Sequence, residues 1–324
     1  MKDKNKPKKQ SLTFIKSFSK ISKKSVFEAG GKGASLGEMT AAKISVPPGF
    51  VILATAFDRF LTETDLTQEV AAQLRKINYK DINLVDRYSN VIRDLIAKAP
   101  MPTDLAKDIM AEFKKLKAPF VAIRSSATAE DSSTASWAGE LETYLNTTEK
   151  TLLINVKKCW SSLFTPRAIF YRHEKKLLKA AVSVAVVVQK MVEAEISGIA
   201  FTVHPVTQDR NQMIIEAGYG LGEAIVSGSV TPDSYVVSKR GYSLIDINIA
   251  AQARQIVKGT GGGTKWVKIP KAQGERQKLN GKQIVALAKI CAGIEKHYKF
   301  PCDIEWVYVK NKFYITQSRP ITTL

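Results

Sequence analysis

Residues 301–322, PCDIEWVYVKNKFYITQSRPIT, constrain the fold more than any other stretch. Two runs rich in Ile, Val, Tyr, Trp and Phe flank Lys310-Asn311-Lys312, the pattern of a β-hairpin. If Val309 faces Phe313 across the turn, the antiparallel register sets Val307 against Ile315, Glu305 against Gln317 and Asp303 against Arg319. Side chains alternate between the faces of a strand, so all eight share one surface. Its turn end is apolar, and its open end carries two carboxylates, an amide and a guanidinium. Such a gradient suits a cleft floor that is dry at the back and able to hold a metal ion and phosphates at the front. The other reading is an edge hairpin with a solvated polar end, because a one-residue slip breaks the pairing.

A chain of 324 residues buries a large core and divides naturally into two lobes. Cys159, Cys291 and Cys302 are odd in number, far apart and without CxxC spacing, which points to free thiols in a reducing compartment. The longest strongly apolar run, 180–188, is far shorter than the roughly 20 residues that span a bilayer. No apolar segment of the secretory kind follows the basic start, so the expected location is cytoplasmic. The net charge of +19 raises nucleic acid as a partner, but the excess is mostly Lys on helical segments, without interleaved aromatics. No nucleic-acid-binding motif stands out. A positive field that gathers anionic nucleotides explains the charge more simply. Residues 1–12 read as a disordered basic tail, 13–185 as one lobe and 186–324 as a second.

Within the first lobe, AGGKGASLGEMTAAKI (29–44) reads as a glycine-rich loop opening a short helix, with Lys32 among the glycines. It is not a Walker A loop, and a purely structural turn stays open. VPPGFVIL (46–53) is a rigid turn feeding a buried strand, and 56–116 reads as helical scaffold. The short strand FVAI delivers Arg124 at its end, followed by a run of small hydroxyl residues suited to a lid. Residues 156–177 form a helical pair broken at Pro166, and 182–205 two strands joined by a short acidic turn. Residues 213–237 read as strand, glycine loop, short helix, turn and strand, with Glu216 or Glu223 in reach of a metal. The glycine run in 253–269 reads as flexible, and 281–299 as the last helix.

These parts assemble into a nucleoside triphosphate cleft. Lys32, Arg124 and Arg319 neutralise phosphate oxygens, while Glu305 and Gln317 offer the oxygen ligands that Mg²⁺ prefers. The apolar strand 182–192 covers an adenine ring, with backbone groups near Gln189 and Met191 reading its edge.

GGKGASLGEM, VPPGFVI, RSSATAEDSSTASWAGELETYLN, FTPRAIFYR, VVVQKMV, SGIAFTVHP, EAGYGLGEAIVSGSVTPDSY and DIEWVYVKNKFYITQSRPI resemble the nucleotide-binding domain of the phosphoenolpyruvate synthase (pyruvate, water dikinase) family. The same domain type occurs in pyruvate phosphate dikinase and rifampicin phosphotransferase. The resemblance runs from about residue 25 to the C-terminus with the motifs in family order. It implies an α+β, ATP-grasp fold: two lobes with mixed or antiparallel sheets enclosing an ATP cleft. By motif match the ATP contacts fall on Lys32, Arg124, Gly139, Thr143, Gln189, Glu305, Gln317 and Arg319, with magnesium on Glu305 and Gln317. Family members carry a catalytic histidine in a TSH setting on a swivelling domain, and His173, His204 and His297 lack that context. The resemblance therefore implies a kinase or dikinase-type phosphotransferase using ATP and Mg²⁺. Its partners would be a phosphohistidine domain and a pyruvate-binding domain on a separate chain or domain. A rifampicin phosphotransferase component and a non-catalytic ATP-binding module are the alternatives.

Overall fold

The computed structural model describes residues 13–128, 142–177 and 182–322; the expected basic tail, most of the hydroxyl-rich run and Gly139 lie outside them. The chain opens with β1 (Ile15–Ser17), α1 (Val26–Ala41) and β2 (Gly49–Ile52). Four helices follow: α2 (Ala54–Glu63), α3 (Leu66–Arg75), α4 (Ile82–Lys98) and α5 (Thr103–Lys115). Next come β3 (Val121–Ala127), β4 (Thr143–Thr147), α6 (Leu152–Ser161), α7 (Pro166–Glu174) and β5 (Val184–Lys190). The five strands form one sheet in the order β1-β2-β5-β3-β4, each pairing antiparallel.

β5 is central in this sheet, and its composition shows why. Val184, Val186 and Val188 pack into a core shared with Phe57, Phe60 and Trp160 of the helical layer. Ala185 and Val187 face the opposite way, into a core with Leu36 and Met39 of α1. A strand buried on both faces needs a continuous apolar run rather than an alternating one, which 184–188 supplies.

The second half comprises β6 (Ile196–Phe201), β7 (Gln212–Tyr219), α8 (Glu223–Val226), β8 (Asp233–Ser238) and β9 (Leu244–Asn248). It continues with β10 (Arg254–Lys258), β11 (Thr264–Lys268), α9 (Lys271–Gly274), α10 (Gly281–Tyr298), β12 (Cys302–Val309) and β13 (Lys312–Pro320). Six strands build an antiparallel sheet in the order β13-β12-β6-β7-β8-β9. Ile284, Leu287, Cys291 and Ile294 of α10 pack against its inner side chains Ile304, Trp306, Met213 and Tyr235. The three cysteines are free and buried.

Several local expectations need correction. The two strands expected within 182–205 are β5 and β6, joined by the short segment 191–195, and they lie in different sheets. Arg124 lies in the middle of β3, not at its end. The glycine segment 29–33 is a kink within α1, with Gly30 at φ 68° and ψ 172°. A Cβ at Gly30 would lie 2.4 Å from the Ser126 carbonyl oxygen, so only glycine lets α1 press this close to β3. The glycine run near residue 260 is the tip of the β10–β11 hairpin, where the Gly263 N–H donates to the Asn146 carbonyl of the first sheet.

Candidate functional site

The terminal hairpin keeps half of its expected register. Glu305 pairs with Gln317 and Asp303 with Arg319, but beyond a bulge Trp306 pairs with Ile315, Tyr308 with Phe313 and Val309 with Lys312. The loop is the two residues Lys310-Asn311, both at positive φ, rather than three. Paired positive φ values match the right-handed twist of the flanking strands in tight hairpins. Thr316 is the residue left over on β13. Val307 therefore does not face Ile315, and Phe313 and Ile315 turn into the core with Trp306.

The bulge frees a carbonyl at the point where the two sheets meet. Arg124 of β3 donates from Nη1 to the Thr316 carbonyl at 3.0 Å and from Nη2 to Glu305 Oε2 at 2.6 Å. One guanidinium thus grips both strands of the hairpin from the opposite sheet. Bulges near functional sites commonly redirect groups in this way. Lys32, two residues past the Gly30 kink, lies close enough for its charge to act on Glu305. The Ser126 hydroxyl donates to the Ala29 carbonyl and accepts from the Gly33 N–H, stitching this turn of α1 to β3.

A cleft of about 250 Å³ lies against this junction. Arg124, Thr143, Gln189, Met191, Glu305 and Thr316 line it, with Leu145, Val192, Leu221 and Val307 among its apolar walls. The Gln189 side chain donates to the Pro47 carbonyl, and the Met191 N–H is already given to Phe120. Arg319 stands at a neighbouring cavity with Gly31, Ser35 and Thr128, where its Nε donates to Asp303 Oδ2 at 2.8 Å.

Charges in this region are tuned in opposite directions. Burial pushes the Glu305 carboxyl up, but Arg124, Arg319 and Lys32 together outweigh it and hold the group below its ordinary value. Burial dominates at Asp303 and raises it despite Arg319, with the Glu305 charge adding to the rise. Glu216 on β7 is raised by burial and then by the charge of Asp303. These three carboxyl groups form a graded set with Glu305 the most firmly ionised.

The donor set fits a hard cation. The Oε1 atom of Gln317 is buried and has no hydrogen-bond partner. It belongs to the cross-strand neighbour of Glu305. No group of three or more His, Cys, Asp or Glu able to hold a metal gathers among the described residues. Mg²⁺ commonly takes one or two carboxylates and completes its shell with phosphates and water, so this sparse set suits it better than an all-protein cage.

Sequence reasoning missed the Thr316 carbonyl, which depends on the bulge. It counted Asp303, paired with Arg319, among the polar groups of the open end but named no contact for it. It also missed Glu142, which precedes β4 and is held by Arg93 of α4 at 2.7 Å and by the Tyr144 hydroxyl. The Glu142 carbonyl in turn accepts from the Ser125 N–H, so the start of β4 is fixed beside Arg124.

Comparison with known proteins places the chain in a family. Residues 26–324 match the family model described as pyruvate phosphate dikinase, AMP/ATP-binding domain. The chain is 46% identical to a probable phosphoenolpyruvate synthase of Methanocaldococcus jannaschii, over 97% of this chain and 27% of that protein. It is 41% identical to the phosphoenolpyruvate synthase of Pyrococcus furiosus, over 96% of this chain and 44% of that protein. It is 39% identical to the rifampicin phosphotransferase of Bacillus cereus, over 96% of this chain and 36% of that protein. The chain thus spans less than half the length of these relatives. The match extends from the start of α1 through the bulged hairpin, and the chain belongs to the pyruvate phosphate dikinase AMP/ATP-binding domain family.

Proposed function

We propose that this chain is an ATP-grasp domain that binds MgATP and transfers a phosphoryl or pyrophosphoryl group to a histidine on another domain or chain. The observation that carries this reading is the Arg124–Glu305 contact, which joins the two sheets beside the cleft and next to the unpartnered Gln317 oxygen. The expected division at 185/186 would cut β5 (Val184–Lys190), so this reading sets the boundary between the two lobes after Lys190.

In this reading the base lies toward Leu145, Met191, Val192 and Leu221, and the phosphates run toward Arg124, Lys32 and Arg319. Because the Lys190 and Met191 amides are taken by Pro48 and Phe120, the adenine edge is read by carbonyls or later amides of this segment. Thr143 completes the phosphate contacts among the described residues. Glu305 and Gln317 hold Mg²⁺, which supplies charge neutralisation at the phosphate oxygens. Arg124 and Arg319 hold the phosphate chain in line for attack by the imidazole nitrogen and stabilise charge on the moving group, so catalysis is positioning plus electrostatics. The chain offers no thiol nucleophile: burial pushes Cys159 and Cys302 up to about 12. The buried free cysteines suit a reducing, cytoplasmic setting.

The resemblance to phosphoenolpyruvate synthases suggests pyruvate as the final acceptor, with AMP and phosphate as products, and the rifampicin phosphotransferase relative suggests rifampicin as the rival acceptor. Incubation with labelled ATP and Mg²⁺, with and without a histidine domain from such a relative and pyruvate, tests the reading. AMP and acid-labile phosphohistidine are expected only when the histidine domain is added. Tight ATP binding with no transfer under any of these conditions would leave a binding module instead.

A further inference from the structure

A second cavity, of about 400 Å³, lies in the helical layer and shares no lining residue with the cleft. Arg172 of α7, Arg75 at the end of α3 and Tyr79 line it, together with Leu74, Ile77 and Ile169. These walls belong to a small satellite core separate from the two main ones.

Arg172 is the unusual member. Its residue is only 8% exposed, and its Nε is buried without a hydrogen-bond partner. Among the described residues no carboxylate compensates its charge. Desolvation lowers its pKa, and the only opposing influence is the Tyr79 hydroxyl. A buried guanidinium stays charged, so an uncompensated one is costly unless something anionic reaches it. Arg172 lines the cavity, and its buried, unpartnered Nε leaves a donor unused there.

We propose that this cavity binds a compact dianion, a phosphate monoester or a dicarboxylate, held by Arg172 with Arg75 at the rim. A guanidinium pairs with either group through two parallel hydrogen bonds. The Tyr79 hydroxyl adds a donor, and its ring is fixed by stacking on His173 with centroids 4.0 Å apart. Leu74, Ile77 and Ile169 accommodate a short carbon skeleton, which a bare inorganic ion would leave unfilled. The site is independent of the phosphotransferase reading, since it uses none of the cleft residues.

The test is titration calorimetry on the chain saturated with ADP, so that the cleft phosphate contacts are occupied. Inorganic phosphate, glycerol 3-phosphate and succinate are the separate probes. The expected result is one molecule bound per chain at millimolar affinity or better, by the phosphate monoester or by the dicarboxylate. Arg172→Met should weaken that binding by on the order of tenfold or more, the worth of a charge-assisted hydrogen bond. In buffer free of multivalent anions the same variant should melt no lower than the parent chain, because it removes an uncompensated buried charge. Equal binding by Arg172→Met, or no binding of any probe at millimolar concentration, overturns the proposal. If Arg172→Met fails to fold, Arg75→Ala at the exposed rim decides: weakened binding supports the site and unchanged binding overturns it.

Discussion

Two ion pairs in this molecule look alike in distance and differ in everything else. Asp233 and Lys278 meet at 2.8 Å with both side chains fully buried. The Asp233 carboxylate also accepts from the Tyr235 hydroxyl and from the Ala250 and Lys278 N–H groups, and the Lys278 ammonium reaches the Ala250 and Gly274 carbonyls. Arg124 and Glu305 meet at 2.6 Å with side chains 12% and 20% exposed. Beside them Arg124 Nε and Gln317 Oε1 are buried without partners. The first pair is a closed network that ties β8 to the start of α10. The second has spare hydrogen-bonding capacity beside a cavity, which is the condition of a site built for a ligand. Proximity of opposite charges does not separate structure from function; the saturation of the surrounding donors and acceptors does.

The widest expected contrast comes from removing one partner of the closed pair. Lys278→Met should lower unfolding free energy by about 3–5 kcal/mol in urea titration, because it strands a buried carboxylate. Nucleotide binding by the fraction that remains folded should not change, and a loss of binding at unchanged stability would erase the distinction between the pairs. At the open pair, Glu305→Ala should lower turnover at least a hundredfold, on the order of 3 to 4 kcal/mol of barrier, and Arg319→Ala should do the same. Thermal melting of both variants should move far less than that of Lys278→Met. Near-normal rates in both would withdraw the hairpin from the reaction.

The smallest effect sharpens the comparison through pH. Glu216 has its folded-state value raised by burial and by Asp303, so the native state holds that proton more tightly than the unfolded chain does. Its contribution to stability is full at acid pH and is lost as pH rises through the raised value. Glu216→Gln should therefore melt slightly higher than the parent near neutral pH, with the gap closing below the ordinary carboxylate range. Glu305 runs the other way, since its depressed value gives stability at neutral pH that is lost on acidification. A Glu216→Gln variant less stable than the parent at neutral pH would show that this carboxylate is compensated by a group on which no charge balance was placed.

Much of this was legible in the chain. The strands and helices from 46 to 116 and from 213 to 237 follow from periodicity and punctuation, because each element is local. Glu305 opposite Gln317 followed from strand alternation alone, and the structure keeps it. What failed was non-local or needed one residue of precision. The bulge at Thr316 shifts half the hairpin by a single position, a change that side-chain hydrophobicity does not encode when both faces of a strand are apolar. β5 and β6 were legible as two strands, but only tertiary packing assigns them to different sheets. The Gly30 kink was visible as glycine, but its reason, contact with Ser126, lies 96 residues away in number and across the core.

The crossing between β5 and β6 has a mechanical consequence. Among the described residues every strand of the first sheet precedes Met191 and every strand of the second follows Glu195, so the backbone passes from one sheet to the other once. Met191 is tethered to Phe120 at one end and Glu195 to Tyr308 at the other, leaving Val192, Glu193 and Ala194 as a three-residue axle. Met191 and Val192 also touch the cleft. Whatever fills the cavity therefore touches the single stretch of backbone that joins the two sheets.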